Sequence, residues 1–428
     1  MLNIINIKNS DLNKSVVRFN PFLPEFHQNP YPFYHQLRMF DPTHKSFFGA
    51  WVLTRYADVR AVLRDSRFRS DEVPNQIKDK KRYFKDPTSV LTLATITSKW
   101  LFFLDPPDHT RLRSLLNKFF STQWIESMRP LIQSTVDDLL DNVRYQGYMD
   151  IIADFSAPLP VIIIANMLGI PSRDHKQLNQ WSTMLSRILD PLLSLETYEE
   201  MGKVVIQFKK YLQQLIAERR VRREDDLISR LIIIQEENRS FSEEELLATC
   251  MVLFVTGEET VVNLIGNGMA ALFQHSQQME KLINTPSLIK NAVDELLRYD
   301  SPLQQTARIA NCDIRINNKV IRAGEKVLVS LGAANRDPDQ FHNPDILDIE
   351  RINTQHVGFG GGIHNCLGIT LARVQAQIAI NSLLQQLPLL KLNINRLEWQ
   401  EHIALRRLKS LPVKFEAINS LNKYSGLR

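Results

Sequence analysis

The sequence predicts an α-dominated α+β fold in a single large domain, and three observations carry that prediction. Runs at helical spacing fill most of the first two-thirds of the chain. One long segment that is apolar on nearly every side begins after Ser242. Short β-leaning runs gather towards the C-terminal end, so the sheets should be small and mostly antiparallel. The 428 residues are 44% hydrophobic and 23% charged, which is ordinary globular usage and enough for a sizeable core. Length alone would allow two or three domains, yet no Gly/Ser-rich or Pro-rich linker, repeat or low-complexity segment marks a cut. We expect an N-terminal extension over 1–20, one domain over 21–415 and a C-terminal tail over 416–428.

In chain order, residues 51–55 are apolar and β-leaning, and 56–63 repeat apolar residues at the helical period. Segments 108–120, 127–143 and 199–220 are helical on the same ground. Ser242 and Glu245 form a capping box, the hydroxyl accepting from the backbone three residues on while the carboxylate reaches back. The apolar run behind it lasts to about Phe273, a helix about 45 Å long. Gly257, Glu258, Glu259 and Thr260 interrupt that run. Burying such groups is costly unless they are paired or face a wet cavity, so the break marks a candidate functional site. Residues 288–299 return to the helical period. Segments 313–316 and 319–321 flank Asn317 and Asn318 as a hairpin. A strand follows at 325–330, a helix at 367–387 stopped by Pro388, and a last strand at 413–415.

Several function classes are excluded. The formal net charge is +5, and the basic runs at 78–85 and 219–223 are short. Asp225 and Asp226 follow the second run, as at a solvated helix end. No aromatic-interleaved basic face appears, so no nucleic-acid partner is expected. No stretch approaches the roughly 20 apolar residues of a membrane span, and residues 1–17 are polar; a cytoplasmic protein without a membrane anchor is expected. Cys250, Cys312 and Cys366 are too few for a disulfide framework or a four-cysteine metal site. Cysteine chemistry must therefore use one thiol at a time, and Cys250 and Cys312 are read as core or strand residues.

Residues 359–368 read Phe-Gly-Gly-Gly-Ile-His-Asn-Cys-Leu-Gly. Three glycines ahead of the cysteine suit a loop pressed against a flat object, because only glycine lets backbone approach so closely. A helix begins just after Gly368, and a thiolate at a helix N-terminus is stabilised by the free N–H groups there. Such an electron-rich axial ligand is what a haem iron needs for oxygen chemistry.

This segment resembles the haem-binding signature of the cytochrome P450 superfamily. Phe359, Gly360, Gly362, His364, Cys366 and Gly368 fall on its pattern positions, and Leu371, Ala372 and Arg373 continue it. Glu295 and Arg298, at i and i+3 on one helix face, resemble the family's Glu-x-x-Arg pair. Arg351 stands where the third member of that buried network is expected, and 335–338 (Asn-Arg-Asp-Pro) precede it as in many bacterial members. Residues 105–113 are similar to a family segment whose histidine and arginine, here His109 and Arg113, contact the haem propionates. Arg308 and His364 match two further propionate-contacting positions. Residues 408–413 resemble the closing turn, so the likeness spans roughly 21–415.

The resemblance implies haem b buried between the long central helix and the cysteine loop, with Cys366 as the iron ligand. It implies a monooxygenase that inserts one atom of O2 into a C–H or C=C bond of an apolar small molecule, by hydroxylation or epoxidation. Gly257, Glu259 and Thr260 would occupy the distal motif where oxygen is bound and protonated. Gly257 would leave room for oxygen and water, Thr260 would donate from its hydroxyl, and Glu259 would relay protons from solvent, which requires a route to water rather than full burial. The chain has no flavin-type or four-cysteine iron–sulfur motif, so electrons should come from a separate ferredoxin or flavodoxin with its reductase. Arg111 and Lys118 are candidate contacts for that donor, and a monomer is expected. Substrate selection should fall to loop-rich segments at 90–100, 185–195 and 303–306 and to the distal helix face, with Phe102 and Phe103 close by.

Thr256 and Val261 depart from the family's usual small residue and hydroxyl at those positions, and Glu258 is a second candidate acid. A peroxygenase or isomerase-type member would tend to lose the acid–alcohol pair. A haem-binding protein without catalysis would need neither Glu259 nor Thr260. A cysteine hydrolase using Cys366 with His364 lacks an oxyanion site and a third member.

Overall fold

The helix that follows Ser242 organises the molecule. In the computed structural model, which describes residues 19–190, 193–237 and 241–417, it runs as Glu243–Gln274, with 32 residues. The capping box is formed: Glu245 N–H donates to the Ser242 hydroxyl at 3.2 Å, and Ser242 N–H donates to the Glu245 carboxylate at 2.8 Å. A cap of this kind contributes about 1 kcal/mol. Because the helix is apolar all round, it is sheathed on every side by Pro158–Leu168, His175–Ser186, Leu195–Val221, Ile289–Tyr299 and Ile369–Gln386. Pro158–Leu168 stops at Gly169, whose φ of 71° closes the helix in the left-handed conformation.

Two helical stretches, Ile151–Leu168 and Glu243–Gln274, are long and apolar enough to cross a membrane. That corrects the expectation that no stretch comes near such a length. Their residues are 67% and 83% buried inside the protein, so both serve as core.

A five-stranded sheet flanks the helices, in the order Thr43–Lys45, Trp51–Leu53, Lys326–Ser330, Gln305–Ala310 and Phe68–Arg69. Trp51–Leu53 runs parallel to Lys326–Ser330, and the other neighbours are antiparallel. A second sheet joins Tyr148–Asp150, Pro412–Lys414 and Lys391–Leu392. The hairpin Ile314–Ile316 with Lys319–Ile321 turns at Asn317, whose φ of 53° suits asparagine.

Two expectations about segments change. Phe19 is 1% exposed and packs edge-on against Phe26 at 5.5 Å, so the fold begins inside the expected extension. Residues 1–18 and 418–428 lie outside the described residues. The stretch expected as a loop near 90–100 is largely the helix Thr88–Thr97, which buries Val90 and Leu93 and packs on Leu195–Val221. Its β-branched composition argues against a helix locally; tertiary packing overrides it.

Candidate active site

A cavity of about 320 Å³ lies between the central helix and the loop that carries Cys366. Gly360 and Gly362 turn that loop with φ of 74° and 66°. A Cβ on Gly362 would sit 2.1 Å from the Leu63 carbonyl oxygen, so only glycine fits. Cys366 N–H donates to the Phe359 carbonyl at 3.0 Å and closes the loop. The helix Ile369–Gln386 starts immediately beyond, placing the sulfur ahead of its N-terminus. The Cys366 side chain opens onto the cavity rather than onto bulk water. That enclosure pushes the thiol pKa up, while the Gly368 N–H and the Arg113 and Arg373 guanidinium groups pull it back. Phe359 lines the cavity with the Arg373 guanidinium over its ring at 5.2 Å, and a Cβ on Gly368 would meet no atom within 4 Å.

Four basic side chains gather at one rim. His109 and Arg113 share a face of Asp108–Asn117. The His109 ring lies 4.5 Å from that of His364, and Arg308 reaches the same cavity from Gln305–Ala310. Among the described residues neither Arg113 nor Arg308 has a carboxylate within ion-pair distance. Arg308 donates to Thr306 Oγ1 at 3.2 Å and the Ala307 carbonyl at 2.7 Å, and Arg113 to the Asn365 carbonyl at 2.7 Å. Burial lowers Arg308 to about 10. Burial, then His364 and Arg113, hold His109 at about 4. Among the described residues, both His109 ring nitrogens and His364 Nδ1 have no hydrogen-bond partner. His364 Nε2 lies 3.2 Å from Ser70 Oγ and 3.7 Å from Asp105. Buried polar atoms are rarely left this way. Two carboxylates at this rim would engage them, and Cys366 lines the same cavity; the residues fit haem.

The opposite wall is the central helix. Leu253, Thr256, Gly257, Thr260, Val261 and Leu264 line the cavity. Thr256 donates to the Val252 carbonyl at 2.7 Å, and Thr260 to that of Thr256 at a longer 3.3 Å. A Cβ on Gly257 would touch Ile164 at 3.4 Å, an ordinary contact, so packing does not impose the glycine. Glu258 and Glu259 turn away from the cavity. Glu259 is not open to water as expected: it is 3% exposed and its carboxylate pairs with Arg407. Glu258 is 2% exposed, and burial followed by repulsion from Glu259 pushes its pKa well up.

Behind the cysteine loop, Glu295 and Arg298 are both 0% exposed. Arg298 donates to Glu295 at 2.7 and 2.8 Å, and Arg351 to both Glu295 oxygens at 3.1 Å. Arg298 also donates to the Asn335 and Pro344 carbonyls, at 2.9 and 2.7 Å. Asn335 in turn accepts from Val357 N–H at 2.8 Å, which ties this network to the start of the cysteine loop.

Of the segments expected to select substrate, Ile188, Leu189, Leu303 and Thr306 line the cavity and 90–100 does not, whereas Leu101, Phe102 and Phe103 do. Residues 191–192 lie outside the described residues. The sequence reading missed Arg69 and Glu72 on this wall and Arg407 behind it; none belongs to a contiguous motif.

The family model described as Cytochrome P450 matches residues 33–286 and 283–401. The chain is 41% identical over 397 residues to the biotin biosynthesis cytochrome P450 of Bacillus subtilis, covering 92% of this chain and 98% of that protein. It is 38% identical over 369 residues to the mycinamicin IV hydroxylase/epoxidase of Micromonospora griseorubida, covering 85% and 89%. The crystal structure of P450BioI in complex with hexadec-9Z-enoic acid ligated acyl carrier protein matches with a TM-score of 0.85 at 39% identity, covering 92% of this chain and 99% of that one.

Proposed function

The chain belongs to the cytochrome P450 family, and on that premise we propose that Cys366 holds the haem iron as a thiolate while the central helix handles protons across from it. The protein is an oxidoreductase, a haem b-dependent monooxygenase of the hydroxylase and epoxidase class that works with a redox partner. Haem b, when bound, supplies the activation of O2: with two electrons and two protons, one oxygen atom enters a substrate C–H or C=C bond and the other leaves as water.

The remaining tasks fall to side chains. Burial disfavours a charged Cys366, and the Gly368 N–H, Arg113 and Arg373 offset that cost. His109, Arg113, Arg308 and His364 take the two propionates, and Phe359 and Gly368 bound the proximal side. The weak bond from Thr260 to Thr256 frees its hydroxyl to hold a water or pass a proton. Gly257 keeps the wall low beside it, and Glu259 resupplies the proton. Glu295, Arg298 and Arg351 act at a distance, by fixing the chain that leads to Cys366. One observation carries this reading: a single cavity joins Cys366, the unpartnered nitrogens of His109 and His364, and Thr260.

The lining by Phe102, Ile188, Leu253, Leu264 and Leu303 supports an apolar small-molecule substrate. Relatives that handle acyl chains make hexadec-9Z-enoic acid the first probe. Electrons come from a ferredoxin or flavodoxin with its reductase, docking on the face nearest Cys366. Arg111 is already paired with Glu245 and Asp108, which leaves exposed Lys118 as the freer charge there. The domain works as a monomer in the cytoplasm. Turnover of the probe with NADPH, ferredoxin and reductase under isotopically labelled O2 tests the assignment. One labelled atom in the product is expected; an oxygen drawn from water, or product formed only from added peroxide, contradicts it.

A further inference from the structure

The basic run at 78–85 has no part in the site described above. It sets Lys78, Lys80, Lys81, Arg82 and Lys85 against a single acid, Asp79. The helix Glu72–Asp79 turns Pro74 and Ile77 inward, and the tight turn Lys80–Tyr83 that follows buries no residue. Lys78, Lys81, Arg82 and Lys85 are exposed, and Lys80 is half-buried. Among the described residues none of these five cations has a carboxylate within ion-pair distance, whereas Arg220, Arg223 and Arg230 around the other basic run are each paired with an acid. Tyr83 is 56% exposed, and the Arg82 guanidinium lies 4.9 Å over its ring. The run is thus a protruding, uncompensated basic ridge with an aromatic ring in it.

The ridge adjoins segments that wall the main cavity. Glu72 and Val73, at the start of its helix, line that cavity, and the helix is only about 12 Å long. Lys80 Nζ lies 5.5 Å over the ring of Tyr198, near the start of Leu195–Val221. The turn Arg187–Leu189, ahead of that helix, supplies Ile188 and Leu189 to the same cavity. Leu195, one helical turn before Tyr198, is 40% exposed and adds apolar surface beside the cations. Glu196 and Glu200 stand two residues either side of Tyr198, about 200° round the helix, so their charge faces away from the ridge. Glu199 is already paired with Lys203 at 2.7 Å.

We propose that this ridge docks the domain on an anionic lipid surface, with this end of the cavity turned toward the bilayer. The proposal goes beyond the monooxygenase reading and rests on it only for the apolar substrate. Clusters of about four to eight Lys and Arg at one surface recognise anionic headgroups, each charge adding to the affinity. A tyrosine among them sits at headgroup depth, its ring against the acyl boundary and its hydroxyl in water. An acidic protein would share the charge complementarity. Yet a turn that buries nothing offers such a partner no packed patch, whereas headgroups close around it from every side. An apolar substrate partitions into the bilayer, so docking here brings its supply to within about one short helix of the cavity. The attachment is reversible and weakens as salt screens the charges.

The test is flotation of the haem-loaded full chain with vesicles of phosphatidylcholine alone and of phosphatidylcholine mixed with phosphatidylglycerol. Binding to the anionic vesicles only, reversed by added salt, is expected. The triple variant Lys81→Ala, Arg82→Ala, Lys85→Ala should bind at least about tenfold more weakly. Tyr83→Ala should bind a few-fold more weakly, with haem content and melting temperature unchanged in both. The matched variant Arg220→Ala, Arg222→Ala, Arg223→Ala removes as much charge elsewhere and should bind like the native protein. Equal loss in the two triple variants would show only the pull of net positive charge and would overturn the proposal. So would equal binding to neutral vesicles, or none to either kind. Capture by poly-glutamate with none by vesicles assigns the ridge to an acidic protein and overturns it too. Flotation reads no turnover, so its failure leaves the monooxygenase reading standing, and the labelled-oxygen experiment can fail without touching the docking result.

Discussion

Beneath Cys366, Glu295 and Arg298 are wholly buried and bonded to each other, to Arg351 and to four backbone groups. Across the cavity Glu258 and Glu259 are buried almost as deeply, yet each keeps an oxygen without a partner. The two walls teach different uses of buried charge. A satisfied network fixes geometry, because loosening any member strands the others. An under-satisfied one persists where water or side-chain motion is part of the task.

Matched substitutions test that contrast, beginning with the largest effect. Glu295→Gln should cost about 3–5 kcal/mol, since it strands the buried Arg298 and loosens the half-buried Arg351, and should release haem; denaturant unfolding and the haem absorbance measure both. Glu258→Gln replaces a carboxyl whose charge burial and Glu259 already disfavour and should cost no more than about 1 kcal/mol. Equal losses in the two variants would erase the distinction between the walls.

A smaller pair concerns glycine. Gly362→Ala puts a Cβ against Leu63 and strains a positive φ, so a loss of at least about 1–3 kcal/mol is expected. Gly257→Ala meets Ile164 at an ordinary distance and should leave stability level or slightly raised, as helix propensity favours Ala by about 1 kcal/mol. Its effect should instead appear in turnover, as slower product formation at an unchanged melting temperature.

The rim histidine makes a pH test. Burial and neighbouring cations hold His109 at about 4, below its ordinary 6.5. The folded protein therefore binds fewer protons than the unfolded chain between those values. The stability His109 contributes is present above pH 6.5 and lost as pH falls towards 4. Apo-protein should show this loss by thermal unfolding, haem-loaded protein should show less of it because two carboxylates face the ring, and His109→Gln should flatten it in both.

Thr260→Ala has the mildest structural consequence, within about 0.5 kcal/mol. It should divert electrons from product to peroxide, read as product formed per NADPH consumed.

Much of this contrast was legible along the chain, and unequally so. The capping box, the Glu295–Arg298 spacing and the glycine pattern before Cys366 are local, so contiguous residues announce them. The Arg407–Glu259 pair joins positions 148 residues apart. Two adjacent acids do not reveal which of them finds a partner inside. Thr88–Thr97 was hidden for a different reason: its threonines, valine and isoleucine oppose the helix that packing on Leu195–Val221 imposes. The proximal wall is thus written mostly in local motifs, and the distal wall in contacts that only folding creates.

The most direct test of the account is the absorption spectrum of the purified, dithionite-reduced protein before and after carbon monoxide, compared with Cys366→His. A strongly red-shifted Soret band in the native protein, replaced in the variant by the unshifted band of a neutral axial ligand, is the expected result. An unshifted band in the native protein, or a red shift that survives the substitution, would contradict the assignment of Cys366 and with it the division of labour between the two walls.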